Sequence, residues 1–480
     1  MIESKNIIQR LRDIVGDQYA VDFSDGETNA YENLLDEALP GSTAPIAVVR
    51  PAAVEHIQKI LTLAGESNVS VLNVCNATGN SSLSTTRDKP ALLVDLSRMN
   101  KIIEVDTNSG YALIEPGVSF DQLHEYLTAN KTGYWIDCDT NGAHSVCASI
   151  TERSFGHTPY GDHLLMQCGM EVVLGDGEIL RTGMGALPNS DTWQLFKYNY
   201  GPYLDGLFSQ SELAVVTKVG LWLMPAPPAY RPFMVSLPDE AALSQALEVM
   251  RPLKIQMVVP NTVTVSHIHV DTRLLTDAGF SAQAQGLIDN ETKFADWNLF
   301  GALYDLPQNI EITWPMVSKA LGSIAGATVV SANDSPTHPV WPLRERLMGG
   351  QPAFSSAETG RRKALWFSVA SSIEGEAALS MLAAVETIMA SVGTDVEQEF
   401  SLSWRTLFMR VSVAFSSENF SKRRATMLAL IENLDASGYS VSHSCRDLRN
   451  AVANAQTSES MIALQTKITA ALDPAGTLSR

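Results

Sequence analysis

Cysteine is sparse in this chain. Five residues (Cys75, Cys138, Cys147, Cys168 and Cys445) occur in 480, an odd set with no C-x-x-C pair. That spacing supports neither a disulfide framework nor a zinc knuckle. Positive charge is also short, with 34 Lys and Arg against 53 Asp and Glu and a formal net charge of −19. No basic run is longer than Arg361-Arg362-Lys363, so a nucleic-acid partner is not expected. No stretch reaches the ~18 uninterrupted apolar residues of a membrane span. The amphipathic start, "MIESKNIIQRLRDIVGD", lacks the apolar core of a signal peptide. A cytoplasmic protein without a membrane partner is the expectation. One last scarcity is local. In "VSVLNVCNATGNSS" (69–82) a buried-strand pattern runs into a loop with one glycine, Gly79. A loop that wraps a phosphate usually needs several, because its N–H groups must turn inward where a Cβ obstructs.

The hydrophobic share is 45%, enough for more than one core in a chain of this length. The first half alternates strand and helix: a strand at 46–51, a helix at 53–65, then the strand at 69–74. "ALLVDL", "KIIEVD" and "YALIEPG" follow as short strands. Ser119-Phe120-Asp121-Gln122 reads as a capping box opening a helix over 120–129. "MEVVLGDGEILRTG" (170–183) reads as a hairpin with Asp176-Gly177 at its turn. A strand over 214–225 ends in the proline-rich "PAPPAYRP". Beyond it, strand–helix pairs recur: "FMVSL", "WNLFGALYDL", "ALWFSVASS" and "LFMRVSVAF" each precede an amphipathic helix. Such repetition implies an antiparallel sheet with helices on one face, and the fold class is α+β.

Residues 150–225 carry a resemblance. "ERSFGHTPYGDHLLMQCGMEVVLGDGEILRTGMGALP" and "TWQLFKYNYGPYLDGLFSQSELAVVTKVGLWLMP" closely resemble the vanillyl-alcohol oxidase and 4-cresol dehydrogenase family. "YALIEPGVSFDQLHEYL" and "WNLFGALY" continue the likeness on either side. The resemblance implies an FAD-type binding domain over 1–227, completed by a C-terminal segment, 444–480, around a cap domain, 228–443. It also implies a homodimer. Family members oxidise para-substituted phenols: flavin takes a hydride from the benzylic carbon while tyrosines and an arginine hold the phenolate.

At the positions implied to do this work the chain departs from the pattern. If FAD is retained, the resemblance assigns its contacts to Asn76, Thr78, Gly79, Ser81, Gly142, Ser145, Ser149 and Val215. Yet the first loop has Cys75 and Ser81 for glycines, and Asn80 for a phenolate tyrosine. The second has Ala148 and Ser149 for a glycine and an asparagine. Thr140 falls at the flavin-facing aspartate, with Asp137 and Asp139 nearby, and His157 at the second tyrosine. Ala364 stands at the covalent histidine, and Tyr439-Ser440 at a Tyr-Arg pair. The chain stops at Arg480, before the family's last flavin loop would begin. Scaffold segments are kept while flavin segments change, so the expectation is a protein without a redox cofactor, with noncovalent FAD as the alternative.

Without flavin, a ligand pocket lined by Asn80, Thr140, His144 and Trp366 remains, with His157 and Tyr439 as its catalytic pair. Histidine titrates near neutrality and can shuttle a proton in a cyclisation, isomerisation or elimination on a small phenolic or polycyclic ligand. Two alternatives stand beside this: an FAD-dependent oxidoreductase of para-substituted phenols, and a catalytically silent ligand-binding or partner subunit. His267, His269 and Asp271 in "HIHVD" would share one face of a strand, but three groups along a strand rarely converge, and no metal site is assigned. Asn76-Ala77-Thr78 and Asn80-Ser81-Ser82 match glycosylation acceptors by chance in a chain without a signal peptide. Cys75 and Cys147 flank the altered loops; small-residue replacement of glycine accounts for them as well as redox activity does.

Overall fold

The computed structural model describes residues 2–23, 44–76, 89–289, 294–334, 336–356, 364–392, 396–416 and 418–478. Asn80, Thr78, Gly79 and Ser81 therefore lie outside the described residues. Three sheets carry the architecture. In the first, Ala47–Val49, Ala91–Asp95 and Ser70–Val74 run parallel, and Ala20–Asp22 closes one edge antiparallel. Parallel strands covered on both faces read as unbroken apolar runs, and Ala91–Asp95 is buried at every position. Helices Ile2–Val15 and Val54–Glu66 pack on this sheet through Leu11, Ile57, Ile60 and Leu61. No helix among the described residues is long and apolar enough to cross a membrane.

The second sheet has five antiparallel strands in the order Ile102–Asp106, Tyr111–Ile114, Ala214–Trp222, Gln167–Leu174 and Ile179–Arg181. Its last pair is the hairpin read from the sequence. Gly177 sits at φ +87°, a conformation that favours glycine. Ser119 caps the helix Phe120–Ala129 by accepting from the Gln122 N–H. The box is incomplete, because the Gln122 side chain donates to the Asn100 carbonyl instead.

The third sheet is an antiparallel cap of eight strands. Its order is Thr328–Ser331, Ala229–Leu237, Trp297–Asp305, Val263–His267, Glu397–Ser403, Thr406–Ala414, Ala364–Ser372 and Val441–Ser444. Strand residues alternate between faces. One face sends Phe233, Val265, Leu299, Phe367, Phe400 and Met409 into a core shared with helices Glu240–Ile255, Gly375–Val392 and Phe420–Ala436. The opposite face presents Thr264, Trp366, Glu399, Ser401, Phe408 and Arg410 to a cavity.

"HIHVD" corrects a sequence expectation. The strand ends at His267, which caps a helix, Ile268–Asp277, so His269 and Asp271 are helical and do not share a strand face. The Val263–His267 strand ends there because the His267 ring accepts from the His269 N–H. Asp271 turns inward to Arg344 at 3.0 Å, and the same guanidinium reaches Glu399 at 3.0 Å. Asp271 also accepts from Ser266 and Asn298. This buried network joins two helices to the middle of the cap sheet. Removing one partner of a buried pair strands the other charge. Arg344→Met is expected to cost about 3–5 kcal/mol of unfolding free energy. Urea denaturation measures it, and a loss below about 1 kcal/mol would show that the network is not structural.

Candidate functional site

The cavity, about 200 Å³, lies between the segment 139–157 and the inner face of the cap sheet. Asp137 organises the nearer wall. Its carboxylate accepts the N–H groups of His157, at 3.1 Å, and Thr158, at 2.5 Å, and pairs with His163 Nε2 at 2.9 Å. Gly156 makes this possible, since a Cβ there would fall 1.3 Å from Asp137 Oδ1. Burial pushes the Asp137 pKa up, but the His163 hydrogen bond and charge, with Thr158, outweigh it and hold it below the carboxylate range. The turn so fixed aims His157 into the cavity.

His157 Nδ1 meets Thr264 Oγ1 at 3.3 Å, and its Nε2 has no hydrogen bond among the described residues. Desolvation, then the charge of Arg344, lowers its pKa, so the imidazole is neutral at pH 7 and able to accept a proton. His144 Nδ1 pairs with Asp139 Oδ2 at 2.8 Å. Burial raises the Asp139 pKa; the charge and hydrogen bond of His144 and the Thr140 N–H outweigh it and drive it far down.

The cap wall is aromatic and cationic. Phe155 and Phe408 rings lie 4.7 Å apart, and His443 sits 5.6 Å from Trp366. Arg410 places its guanidinium 4.6 Å from the Trp366 ring centre. Among the described residues it has no hydrogen-bonding or ion-pair partner, whereas Arg344 is held by Asp271 and Glu399, and Arg273 by Glu397 at 3.2 Å. Desolvation, then Arg273, lowers the Arg410 pKa, against the opposing pull of the Glu399, Asp139 and Glu397 carboxylates. A desolvated cation with no carboxylate at contact distance is costly, and an anionic ligand bonded directly to it would relieve that cost.

Thr140, His144, His157 and Trp366 meet in this cavity, with Ser145 and Ser149. Tyr439 does not line it. The tyrosine follows helix Phe420–Ala436 and packs on the cap core, while His443, on the next strand, reaches the cavity. Val215 is buried in a strand paired with Val173, in the core beneath the first sheet, and does not face the cavity. Asn76 donates to the Ala143 carbonyl at 3.0 Å, tying the first loop's start to the second. Cys147 is a fully buried thiol whose pKa a Cys75 hydrogen bond and burial push well up, so it is not a reactive thiolate.

FAD, the group this kind of fold implies, needs inward-pointing backbone N–H groups at its phosphates. Most N–H groups of the described loop, 140–149, are committed to protein acceptors, those of Ser145 and Cys147 among the exceptions, so this loop offers few for a phosphate. The first loop beyond Asn76 lies outside the described residues. Gly142 N–H donates to the Phe354 carbonyl, Ala143 to Asn141 Oδ1, His144 to the Asn141 carbonyl, and Val146 to the Val118 carbonyl. The Ala148 N–H caps onto Ser145 Oγ, and Ser149 Oγ turns to His163. A Cβ on Gly142 would fall 1.9 Å from Asp121 Oδ1, so this glycine answers to its protein neighbours.

Sequence reasoning missed Arg410, Glu399, His163 and His443. The signal was a charge or polar group at alternate positions of otherwise apolar cap strands, "EQEFSLS" and "LFMRVSV". His443 allows a pH test. Desolvation, then Arg410, pushes its pKa from 6.5 to about 3. The unfolded chain takes a proton near 6.5 and the folded one does not, so this contribution to stability is present above 6.5 and declines as pH falls toward about 3. His157, lowered likewise, acts with the same sign. Urea unfolding across that range is expected to show a shallower acid decline in His443→Phe than in the parent; an equal decline would contradict it.

Residues 45–183 match the FAD binding domain family. The chain is 29% identical over 458 residues to the 4-cresol dehydrogenase [hydroxylating] flavoprotein subunit of Pseudomonas putida, covering 92% of this chain and 88% of that protein. It is 34% identical over 215 residues to 1'-carboxy-chondrochloren decarboxylase of Chondromyces crocatus, covering 44% of this chain and 39% of the other. The solved p-cresol methylhydroxylase with substrate bound superposes at TM-score 0.89 with 28% identity, over 99% of this chain and 96% of that one. The 4-ethylphenol oxidase of Gulosibacter chungangensis, in its isoeugenol complex, gives 0.87 and 25% over the same shares. Over nearly its whole length the chain is similar to the 4-cresol dehydrogenase flavoprotein and shares the fold of these solved structures, an FAD-binding-type domain with an antiparallel cap.

Proposed function

We propose that this relative of the 4-cresol dehydrogenase flavoproteins works without a redox cofactor, by proton transfer on a small aromatic ligand that carries an anionic group. One observation carries the reading: Arg410 lies in the cavity against Trp366 with no ion pair or hydrogen bond at contact distance among the described residues, the carboxylates of Glu399, Asp139 and Glu397 acting on it only from farther off. Phe155, Phe408 and Trp366 supply faces for a ring, and the guanidinium supplies a fork for a carboxylate or phenolate. His157, neutral and with Nε2 free of hydrogen bonds among the described residues, is the proton acceptor. Proton acceptance and return by one imidazole suffice for an isomerisation, a cyclisation or an elimination, and no electron acceptor enters. The engaged N–H groups of 140–149 support the same reading. Tyr439, placed on the cap core, has no part in it.

An FAD-dependent oxidation of para-substituted phenols is the second reading, favoured by the family match over 45–183 and by the relatives' own activities. FAD, when bound, would accept a hydride from the benzylic carbon. The decarboxylase relative suits a carboxylated ligand under either reading.

Calorimetric titration tests the anion site. 4-Hydroxybenzoate is expected to bind at least about tenfold more tightly than neutral 4-hydroxybenzyl alcohol, a difference of about 1.4 kcal/mol, and Arg410→Gln to abolish that preference. Equal binding of the two, or a preference that survives in Arg410→Gln, would sink the assignment.

A further inference from the structure

The same cavity exposes a group that the proton-transfer reading leaves unused. Ser149 Oγ lies 2.7 Å from His163 Nδ1, and His163 Nε2 lies 2.9 Å from Asp137 Oδ1. All three are buried, and Ser149 is among the residues that line the cavity. Two backbone N–H groups and the Gly156 contact hold the Asp137 carboxylate in place. Burial lowers the His163 pKa, but the hydrogen bond and charge of Asp137 outweigh it and raise it above the usual imidazole value. At pH above that raised value the ring is neutral, its Nε2 proton is donated to the carboxylate, and Nδ1 offers its lone pair to the serine hydroxyl. A serine, a base and an orienting carboxylate in hydrogen-bonding sequence define an activated nucleophile, whatever their order in the chain. A chain of bonds serving only to anchor helix Val146–Thr151 would not need its hydroxyl at a cavity wall.

We propose that Ser149, His163 and Asp137 form an acyl-transfer site for small esters of phenols. Ser149 Oγ attacks the ester carbonyl as its proton passes to His163 Nδ1. The carbonyl–aryloxy bond then breaks, and the phenol leaves with the proton from His163. Water, deprotonated by the same imidazole, cleaves the acyl-serine, releases the carboxylic acid and restores the hydroxyl. No oxidant or reductant is required. The aromatic walls receive the leaving phenol, and the site shares the cavity of the proposed function without depending on its chemistry.

The test uses the full-length protein and 4-nitrophenyl acetate. A burst of about one 4-nitrophenolate per chain is expected, with an acetyl group located on Ser149 by peptide mass spectrometry. Ser149→Ala should remove the burst and lower turnover by on the order of 10²-fold or more. Ser149→Cys should restore acylation, now at sulfur, which separates loss of the nucleophile from loss of fold. No acetylation at Ser149, or a burst that persists in Ser149→Ala, overturns the proposal. Either failure leaves the Arg410 ligand preference, and the proton-transfer reading, to stand or fall separately.

Discussion

The Asp137 carboxylate is the constraint on which the near wall of the cavity depends. It is 3% exposed, and a carboxylate that deep survives only if its lone pairs are filled. Two backbone N–H groups and an imidazole fill them. In doing so they fix the turn at 156–158, set the direction of His157, and hold His163 against Ser149. Gly156 is the local condition for that packing, because the carboxylate occupies the space where a side chain would begin. One buried charge thus positions a proton acceptor and a hydroxyl.

The far wall obeys the opposite electrostatics. Arg344 is neutralised by Asp271 and Glu399, and Arg273 by Glu397. Arg410 has no direct ion pair among the described residues and leans on the Trp366 ring, a contact worth about 0.5–2 kcal/mol. That is less than the several kcal/mol by which an unpaired ion is penalised on burial. The difference is what a ligand's negative charge can recover, so the wall selects by charge as well as by shape. Family likeness supplies the scaffold for this arrangement; the chemistry rests on side chains that differ within it.

Much of the fold was legible in residue order. The hairpin at Asp176-Gly177, the helix after Ser119, and the recurring strand–helix pairs follow from local propensity and turn chemistry, which act within a few residues. "HIHVD" was misread because period two was extended four residues past the strand's end: His267 belongs to the strand, while its ring caps the helix that follows. Thr140, His144, His157 and Trp366 were legible through family resemblance, and they do share a cavity. Tyr439 was not, since a slip of a few residues beside a short strand exchanges a core-packing tyrosine for His443. Arg410 and His163 were hidden for a different reason. Their meaning depends on partners distant in sequence, Glu399 and Trp366 for one, Asp137 and Ser149 for the other. A buried arginine without a direct ion pair is visible only once every neighbour is in place.

The central claim is that this flavoprotein scaffold works without flavin, and the visible spectrum of the purified full-length protein, followed by titration with FAD and gel filtration, tests it most directly. The account predicts a colourless protein that elutes without flavin after incubation with excess FAD. A yellow protein that keeps its flavin through the column, and whose flavin is bleached by a 4-alkylphenol, would contradict it.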